Sequence, residues 1–317
     1  MEATNVIQAT RSLGPQARGT RRRLSADARL GIALIAPAVL TVLVIIFYPL
    51  ILAVWDSMHR ISLRFEDTPQ PLIWLGNYTA VLVDSRWYNA VRVTLTIAGT
   101  SVLTELLLGM LIALALNRSF RGRGLMRAAV LVPWALTTVV SAKMWSWIYD
   151  TRYGIFNDLL IRLGIIDRPL VWLFRQDLAL PAMTGAEIWK TTPFMALLLL
   201  AGLQLIPADL YEAAAIDGTT EWQNFWKITL PLMKPTILVA LLFRTIDALK
   251  LFDLPRVLTN GGPGQSTETL SLYTYNTLFT SLNFGYGSTL AVTTFLIIMC
   301  AAFLFIKILG APAGGAR

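Results

Sequence analysis

The sequence has almost none of the residues on which metal sites and redox chemistry depend. Its 317 residues include one cysteine, Cys300, and one histidine, His59. A single cysteine cannot form an intramolecular disulfide, and a single histidine with no cysteine near it is not a set of metal ligands. We therefore expect no metal site in this chain.

The sequence also has none of the common catalytic motifs. There is no GxxxxGK[ST] pattern, and no glycine is followed by a lysine, which excludes a P-loop ATPase. The metalloprotease pattern HExxH and the hydrolase pattern GxSxG are absent too. We therefore expect a protein that is not itself an enzyme, and we assign no catalytic residue.

Charged residues are scarce, at 15% of the chain, whereas 55% are hydrophobic and the mean hydropathy is +0.59. Soluble domains carry about 25% charged residues. About 20 apolar residues span a bilayer core, and six stretches reach that length. The sequence therefore predicts an all-α integral membrane protein with six transmembrane helices at 30–52, 93–116, 128–149, 181–206, 236–254 and 288–309.

The net charge of +8 arises largely from two groups of arginines, one before the first predicted helix and one after the second. Placing both on the cytoplasmic side follows the positive-inside rule, and six helices then put both termini in the cytoplasm. This distribution favours a membrane protein over a nucleic-acid-binding one. We expect a basic segment at 1–29, whose first 24 or so residues are mobile, a membrane domain at 30–310 and a cytoplasmic tail at 311–317.

Several predicted helices contain charged side chains, each of which costs at least about 2.5–3.5 kcal/mol at the bilayer centre. Four of them alternate in sign at steps of three residues: Arg244, Asp247, Lys250 and Asp253. That spacing lets neighbours pair along one helix. Two interpretations stay open: a self-neutralising ladder, or the wall of an aqueous solute pathway in which aromatic rings stack on a sugar. The candidate pathway residues are Trp134, Glu187, Lys190, Asp247, Lys250 and Asp253.

The most polar long segment of the second half is EAAAIDGTTEWQNFWKITLPLMKP, residues 212–235. Its alanines favour a helix, which Asp217 and Gly218 should end. Thr220 and Gln223 form a capping-box pattern that predicts a second helix running towards Pro231. Trp222, Phe225 and Trp226 would form an apolar stripe on it. The chemistry of this helix–turn–helix suits the membrane surface and a groove in a partner protein about equally.

This segment resembles the cytoplasmic loop of binding-protein-dependent ABC importer permeases, in which EAA is followed by Gly and then by Ile-x-Leu-Pro. Four further stretches resemble the sugar branch of that family: GNY at 76–78, Pro133-Trp134 with Trp145, GIFN at 154–157 and the run at 251–279. Two more, EIWKTTPFMALLLLAGL at 187–203 and LLFRTIDALKLFD at 241–253, resemble most of all the trehalose importer permeases of actinobacteria. The resemblance covers roughly residues 30–310.

The resemblance implies the type I importer architecture and a role as one of two paralogous permeases. Its other partners would be an ATP-binding subunit dimer, which holds ATP and Mg, and an extracytoplasmic solute-binding protein that delivers a sugar such as trehalose or maltose. This chain would bind no cofactor itself. The loop 207–235 would couple the ATPase to the membrane helices through Glu212, Ala213, Ala214, Asp217, Gly218, Phe225 and Trp226.

Other functions are also compatible with these residues. An ion-coupled secondary transporter would use the buried acids Glu105, Glu187, Asp247 and Asp253 as ion sites. The cargo of an importer could also be another oligosaccharide or glycerol 3-phosphate. A membrane-bound enzyme or receptor is the weakest alternative.

Overall fold

A computed structural model describes residues 26–64 and 69–309, so the predictions for 1–25 and for the tail 311–317 lie outside the described residues. The described part is helical, with only two isolated bridges, His59 to Leu72 and Ser62 to Asn283. The chain divides into two units after Ile51, and the first contributes most of helix α1. The helices are α1 (Ala26–Ser57), α2 (Gly76–Leu82), α3 (Ser85–Asn117), α4 (Arg123–Ala135), α5 (Thr138–Ile148), α6 (Ile155–Arg162), α7 (Gln176–Leu203), α8 (Ala208–Ile216), α9 (Glu221–Asn224), α10 (Leu230–Leu249), α11 (Asp253–Leu258), α12 (Leu270–Tyr275) and α13 (Phe284–Leu309).

Among the described residues, four helices are long and apolar enough to cross a membrane: α1, α3, α7 and α13. The continuous third span predicted over 128–149 is wrong, because α4 and α5 meet there at an angle of 90°. Leu136 and Thr137 between them are extended, and Pro133 in the last turn of α4 lacks the N–H that a continuing helix needs. If this bent pair is one broken span, the described residues hold up to five spans.

The predicted fifth span corresponds to α10, with shifted ends. Helix α10 begins at Leu230, before the predicted start, and ends at Leu249, so the predicted last residue, Leu254, lies in α11 instead. Lys234, Arg244 and Asp247 make α10 too polar to be recognised as a span by composition. The count of six spans therefore stays a prediction.

Helices α3 and α7 form the central pair of the second unit, and α10 packs on both. Their shared core contains small and flexible side chains such as Ala113, Met195 and Leu199, which are almost completely buried. Gly109 of α3 lies at a close contact with the backbone of α7. A Cβ at that position would be 2.8 Å from the Met195 Cγ atom and 3.1 Å from the Ala196 backbone nitrogen.

We expect Gly109→Ala to lower the stability of the folded protein, by about 1–3 kcal/mol, because the added methyl group overpacks the contact between α3 and α7. The measurement is the thermal unfolding midpoint in detergent. Gly99→Ala on the same helix is the matched control, since nothing lies within 4 Å of its Cβ position. The control should unfold at the native temperature or slightly above it, because alanine favours a helix. Equal midpoints for the two variants would contradict this prediction.

The start of α3 is tied to the segment around α12 and α13 by polar contacts. Arg86 donates two hydrogen bonds to the Glu268 carboxylate, at 2.8 and 2.7 Å. The Tyr273 and Tyr286 hydroxyl groups donate to one oxygen of Asp84, at 2.6 and 2.7 Å. Partial burial opposes the charged form of Asp84, but these hydrogen bonds outweigh it and hold the pKa of Asp84 below its usual value. Burial, together with the bond to Asp84, raises the pKa of Tyr273 to about 12.

Candidate functional site: a charged cavity and an exposed helix turn

A cavity of about 350 Å³ lies between the start of α5, the middle of α7, the end of α10 and the segment that follows α10. Five of the six candidate pathway residues line it: Glu187, Lys190, Asp247, Lys250 and Asp253. The remaining wall consists of Thr138, Thr191, Leu251 and Phe252. Trp134, the sixth candidate, is not part of this wall; its ring stacks on Phe194 with the centroids 5.6 Å apart.

Behind the cavity wall, the Arg244 side chain is buried with 1% of its surface exposed. Its Nε atom donates to Glu105 of α3 at 2.5 Å, and its Nη2 atom donates to Glu187 of α7 at 2.6 Å. Its Nη1 atom donates to Asp247, one turn further along α10, at 3.2 Å. The Thr191 hydroxyl donates to Glu105 at 2.7 Å. One guanidinium group thus joins α3, α7 and α10.

This cluster reconciles both interpretations of the charged ladder. Two of the three pairs expected along the helix are present, since Asp247 bonds Arg244 and also lies 3.6 Å from the Lys250 ammonium group. The third, between Lys250 and Asp253, is not among the ion pairs of the described residues, and Asp253 lies in α11, beyond the end of α10. The more buried contacts, however, run between helices to Glu105 and Glu187. Meanwhile Asp247 and Lys250 are more than half exposed and face the cavity. The ladder is structural at Arg244 and lines an open, polar space further along.

The polar segment at 207–235 forms the predicted helix–turn–helix. Helix α8 ends at Ile216, and Gly218 takes a φ of 72°, which a side chain with a Cβ resists. The capping box is confirmed: the Gln223 N–H donates to the Thr220 hydroxyl at 3.3 Å, and the Thr220 N–H donates to the Gln223 side chain at 2.9 Å. Thr219 donates to the Ala214 carbonyl, which closes the turn.

The second helix does not stop near Pro231 as the sequence suggested. Helix α9 passes through a π-helical turn at Phe225–Thr229 straight into α10. In that turn the Leu230 N–H bonds to the Phe225 carbonyl, five residues back. We attribute the continuity to this wider turn and to the position of Pro231 at the start of α10, where its missing N–H is tolerated. The helical path from Glu221 to Leu249 is about 40 Å long.

Apolar side chains are displayed around the turn. Ile216, at the end of α8, is 88% exposed, and Trp222 is 70% exposed. Trp222, Phe225 and Trp226 contact one another, with centroids 5.3–6.3 Å apart, so the predicted stripe is confirmed. Phe225 also packs against the core of α3, α7 and α10. Of the residues assigned to coupling, Glu212, Ala213, Asp217, Gly218 and Trp226 are exposed, while Ala214 is buried and Phe225 half-buried.

Residues 105–310 match the model of the binding-protein-dependent transport system inner membrane component family. The matched range holds the Arg244 cluster, the cavity and the helix–turn–helix. The chain belongs to this family. It is therefore a multi-pass membrane component of a transport system, as the resemblance implied.

Named relatives cover most of the chain. It is 43% identical to the trehalose/maltose transport system permease protein MalF of Thermococcus litoralis, over 89% of this chain and 94% of that protein. It is 41% identical to the trehalose transport system permease protein SugA of Mycobacterium tuberculosis, over 92% of each. A crystallised bacterial ABC transporter for the acidic polysaccharide alginate has the same fold, with a TM-score of 0.77, 22% identity, and coverage of 90% of this chain and 96% of that one.

Two family stretches quoted from the sequence have structural roles here. Asn77 of GNY donates to the carbonyls of Ser57 and His59, at 2.8 and 3.0 Å. Asn157 of GIFN is buried, and its side-chain oxygen accepts from the Leu170 N–H and from the Trp172 indole. Both asparagines fix loops next to membrane helices.

Proposed function

We propose that this chain is the permease subunit of an ATP-driven importer for a neutral sugar, with a disaccharide such as trehalose or maltose as the first candidate. Its partners would be a paralogous permease, an ATP-binding subunit dimer that holds ATP and Mg, and an extracytoplasmic solute-binding protein, all in a bacterial plasma membrane. The observation that carries the proposal is the unbroken helical path from the exposed turn to the cavity, in a chain 43% identical to a trehalose/maltose permease.

The exposed turn suits the ATPase contact. Ile216 and the small side chain of Ala213 stand out from the protein beside the tight turn at Gly218. Exposed apolar side chains beside a tight turn can insert into a groove of another protein. Because α9 continues into α10, a displacement of the turn is passed along one helix to Arg244 and Asp247. Closure of the ATPase dimer would then switch the packing of α10 against α3 and α7 between two arrangements.

The cavity suits an uncharged polyhydroxyl solute. Its wall presents three carboxylates (Glu187, Asp247 and Asp253) and two ammonium groups (Lys190 and Lys250). Carboxylates accept hydrogen bonds from sugar hydroxyl groups and ammonium groups donate to them. A phosphate ester instead requires several convergent cations without competing acids. Glycerol 3-phosphate is therefore a poorer candidate cargo than a disaccharide or another neutral oligosaccharide.

The ion-coupled alternative loses support from the same geometry. Glu105 and Glu187, two of the four acids it needs, both bond to the Arg244 guanidinium. A carboxylate that bonds a buried arginine must give up that bond before it can coordinate a sodium ion, which makes these two acids poorer ion sites.

The test is uptake of radiolabelled sugar by proteoliposomes containing this chain together with a paralogous permease, an ATP-binding subunit and a solute-binding protein from the same organism. We expect uptake to require ATP and the solute-binding protein, and to persist when ionophores collapse the ion gradients. Calorimetry of the solute-binding protein with trehalose, maltose and a phosphorylated disaccharide would identify the cargo. Uptake that survives ATP removal but not the ionophores would overturn the proposal in favour of a secondary transporter.

A further inference from the structure

Residues 118–127, which form the loop between α3 and α4 and the first five residues of α4, carry an unusual concentration of positive charge. Its sequence, RSFRGRGLMR, contains four arginines, and no Asp or Glu occurs between Glu105 and Asp150. The nearest carboxylates must therefore come from other parts of the chain. We refer to residues 118–127 as the arginine loop.

Only one of the four arginines has an acidic partner in the described part of the chain. The Arg118 guanidinium lies 2.5 Å from Glu221, the first residue of α9. Arg127 donates only a long bond, 3.4 Å, to the Leu116 carbonyl, and its Nε atom is buried without a partner. The side chains of Arg121 and Arg123 bond to no described residue, so three of the four positive charges are not balanced within the described chain.

Apolar side chains are exposed between these arginines. Phe120 is 44% exposed, Leu125 78% and Met126 50%. Helix α3 is a membrane span by length and composition, and it ends at Asn117. The arginine loop begins at the next residue. The end of a membrane span is close to the level where a bilayer's headgroups meet its acyl chains. Basic and apolar side chains interleaved at this depth are the pattern of a segment bound to an anionic lipid surface.

We propose that the arginine loop binds the headgroup of an anionic phospholipid in the cytoplasmic leaflet. Arg121 and Arg123 donate to the phosphate oxygens, and Phe120, Leu125 and Met126 contact the acyl chains. Guanidinium groups suit this task because they offer paired N–H donors to phosphate. The cytoplasmic placement rests on the proposed function, since the bond between Arg118 and Glu221 puts the loop beside α9, next to the turn assigned to the ATPase contact. An occupied lipid site would thus anchor the base of that turn to the membrane.

The experiment is a titration of the full-length protein, purified in detergent and depleted of lipid, with phosphatidylglycerol or with phosphatidylcholine, counting bound lipids by native mass spectrometry. We expect preferential retention of phosphatidylglycerol. The double variant R121Q/R123Q should bind it about 10- to 30-fold more weakly, because each basic side chain near an anionic surface contributes about fivefold.

The matched control is R152Q/R168Q, which removes two exposed arginines from the region between α5 and α7. It should keep the native affinity for phosphatidylglycerol. An unchanged affinity in R121Q/R123Q, an equal loss in the control, or full displacement of the lipid by inorganic phosphate at the same concentration would each overturn the assignment. Loss of ATPase-subunit association in lipid-free detergent, with lipid affinity unchanged, would show that the occupant is a protein. The readout needs neither ATP nor sugar, so its failure is distinct from a failure of the uptake test.

Discussion

Arg244→Leu is expected to prevent stable folding of the membrane domain. The substitution leaves Glu105 and Glu187, which are 0% and 3% exposed, without their shared cation. Removing one partner of a buried ion pair costs about 3–5 kcal/mol, comparable with the whole stability of many domains. The measurement is the yield of monodisperse protein after membrane extraction, together with its thermal unfolding midpoint.

A charge-matched control separates this effect from the loss of any cation near the cavity. Lys250→Leu removes a positive charge from the same segment, but the Lys250 side chain is 59% exposed and pairs only with Asp247, at 3.6 Å. Exposed pairs contribute at most about 1 kcal/mol. We therefore expect Lys250→Leu to fold with a midpoint close to that of the native protein. A small and equal effect of the two substitutions would contradict the structural role of Arg244.

A triple variant tests whether uncompensated charge is the cause. In R244M/E105Q/E187Q the buried cluster becomes neutral, and the two amides keep hydrogen-bonding capacity towards Thr191 and each other. Replacing a complete buried ion cluster by neutral groups is often tolerated or stabilising. We expect this variant to recover most of the yield that R244L loses. If it folds as poorly as R244L, the arginine contributes mainly through its shape and not through its charge.

The sequence predicted local features of the site well because their causes are local. The turn follows from Asp217 and Gly218, and the capping box follows from residue types three positions apart. The charges that alternate along α10 and just beyond it are likewise a matter of helical spacing, and they led to Asp247, Lys250 and Asp253 in the cavity wall. The same three-residue spacing on α7 led to Glu187 and Lys190. In each case the atoms that interact are separated by one or two helical turns.

The features that the sequence did not predict depend on distant contacts or on subtle backbone geometry. Glu105 and Arg244 lie 139 positions apart, and nothing in their own segments pairs them. The available signal was the cost of an isolated carboxylate in a membrane helix, which demands a cation but does not identify it. The bend between α4 and α5 was hidden because hydropathy stays high across it, and the helix beyond Pro231 continued because a π-helical turn precedes it.

Gly218→Val is expected to abolish coupling between the ATPase and transport while leaving the membrane domain folded. Gly218 has a φ of 72°, and a β-branched side chain resists that conformation. Apart from its neighbours in the chain, no described residue has an atom within 4 Å of its Cβ position, so the substitution acts through the backbone and reshapes the turn between α8 and α9. We expect copurification of the ATPase subunit and sugar uptake to fall at least tenfold, with the thermal unfolding midpoint of the isolated chain nearly unchanged.

Gly164→Val is the control that makes this prediction specific. Gly164 has a φ of 69° and likewise no atom within 4 Å of its Cβ position, so valine meets the same backbone strain there. It lies just after α6, between α5 and α7, in a segment with no assigned role in the ATPase contact. Uptake by G164V should therefore stay near the native level. If G218V transports as well as G164V, the turn at Gly218 is not the coupling element, and the path from the turn through α10 to Arg244 does not carry the conformational change.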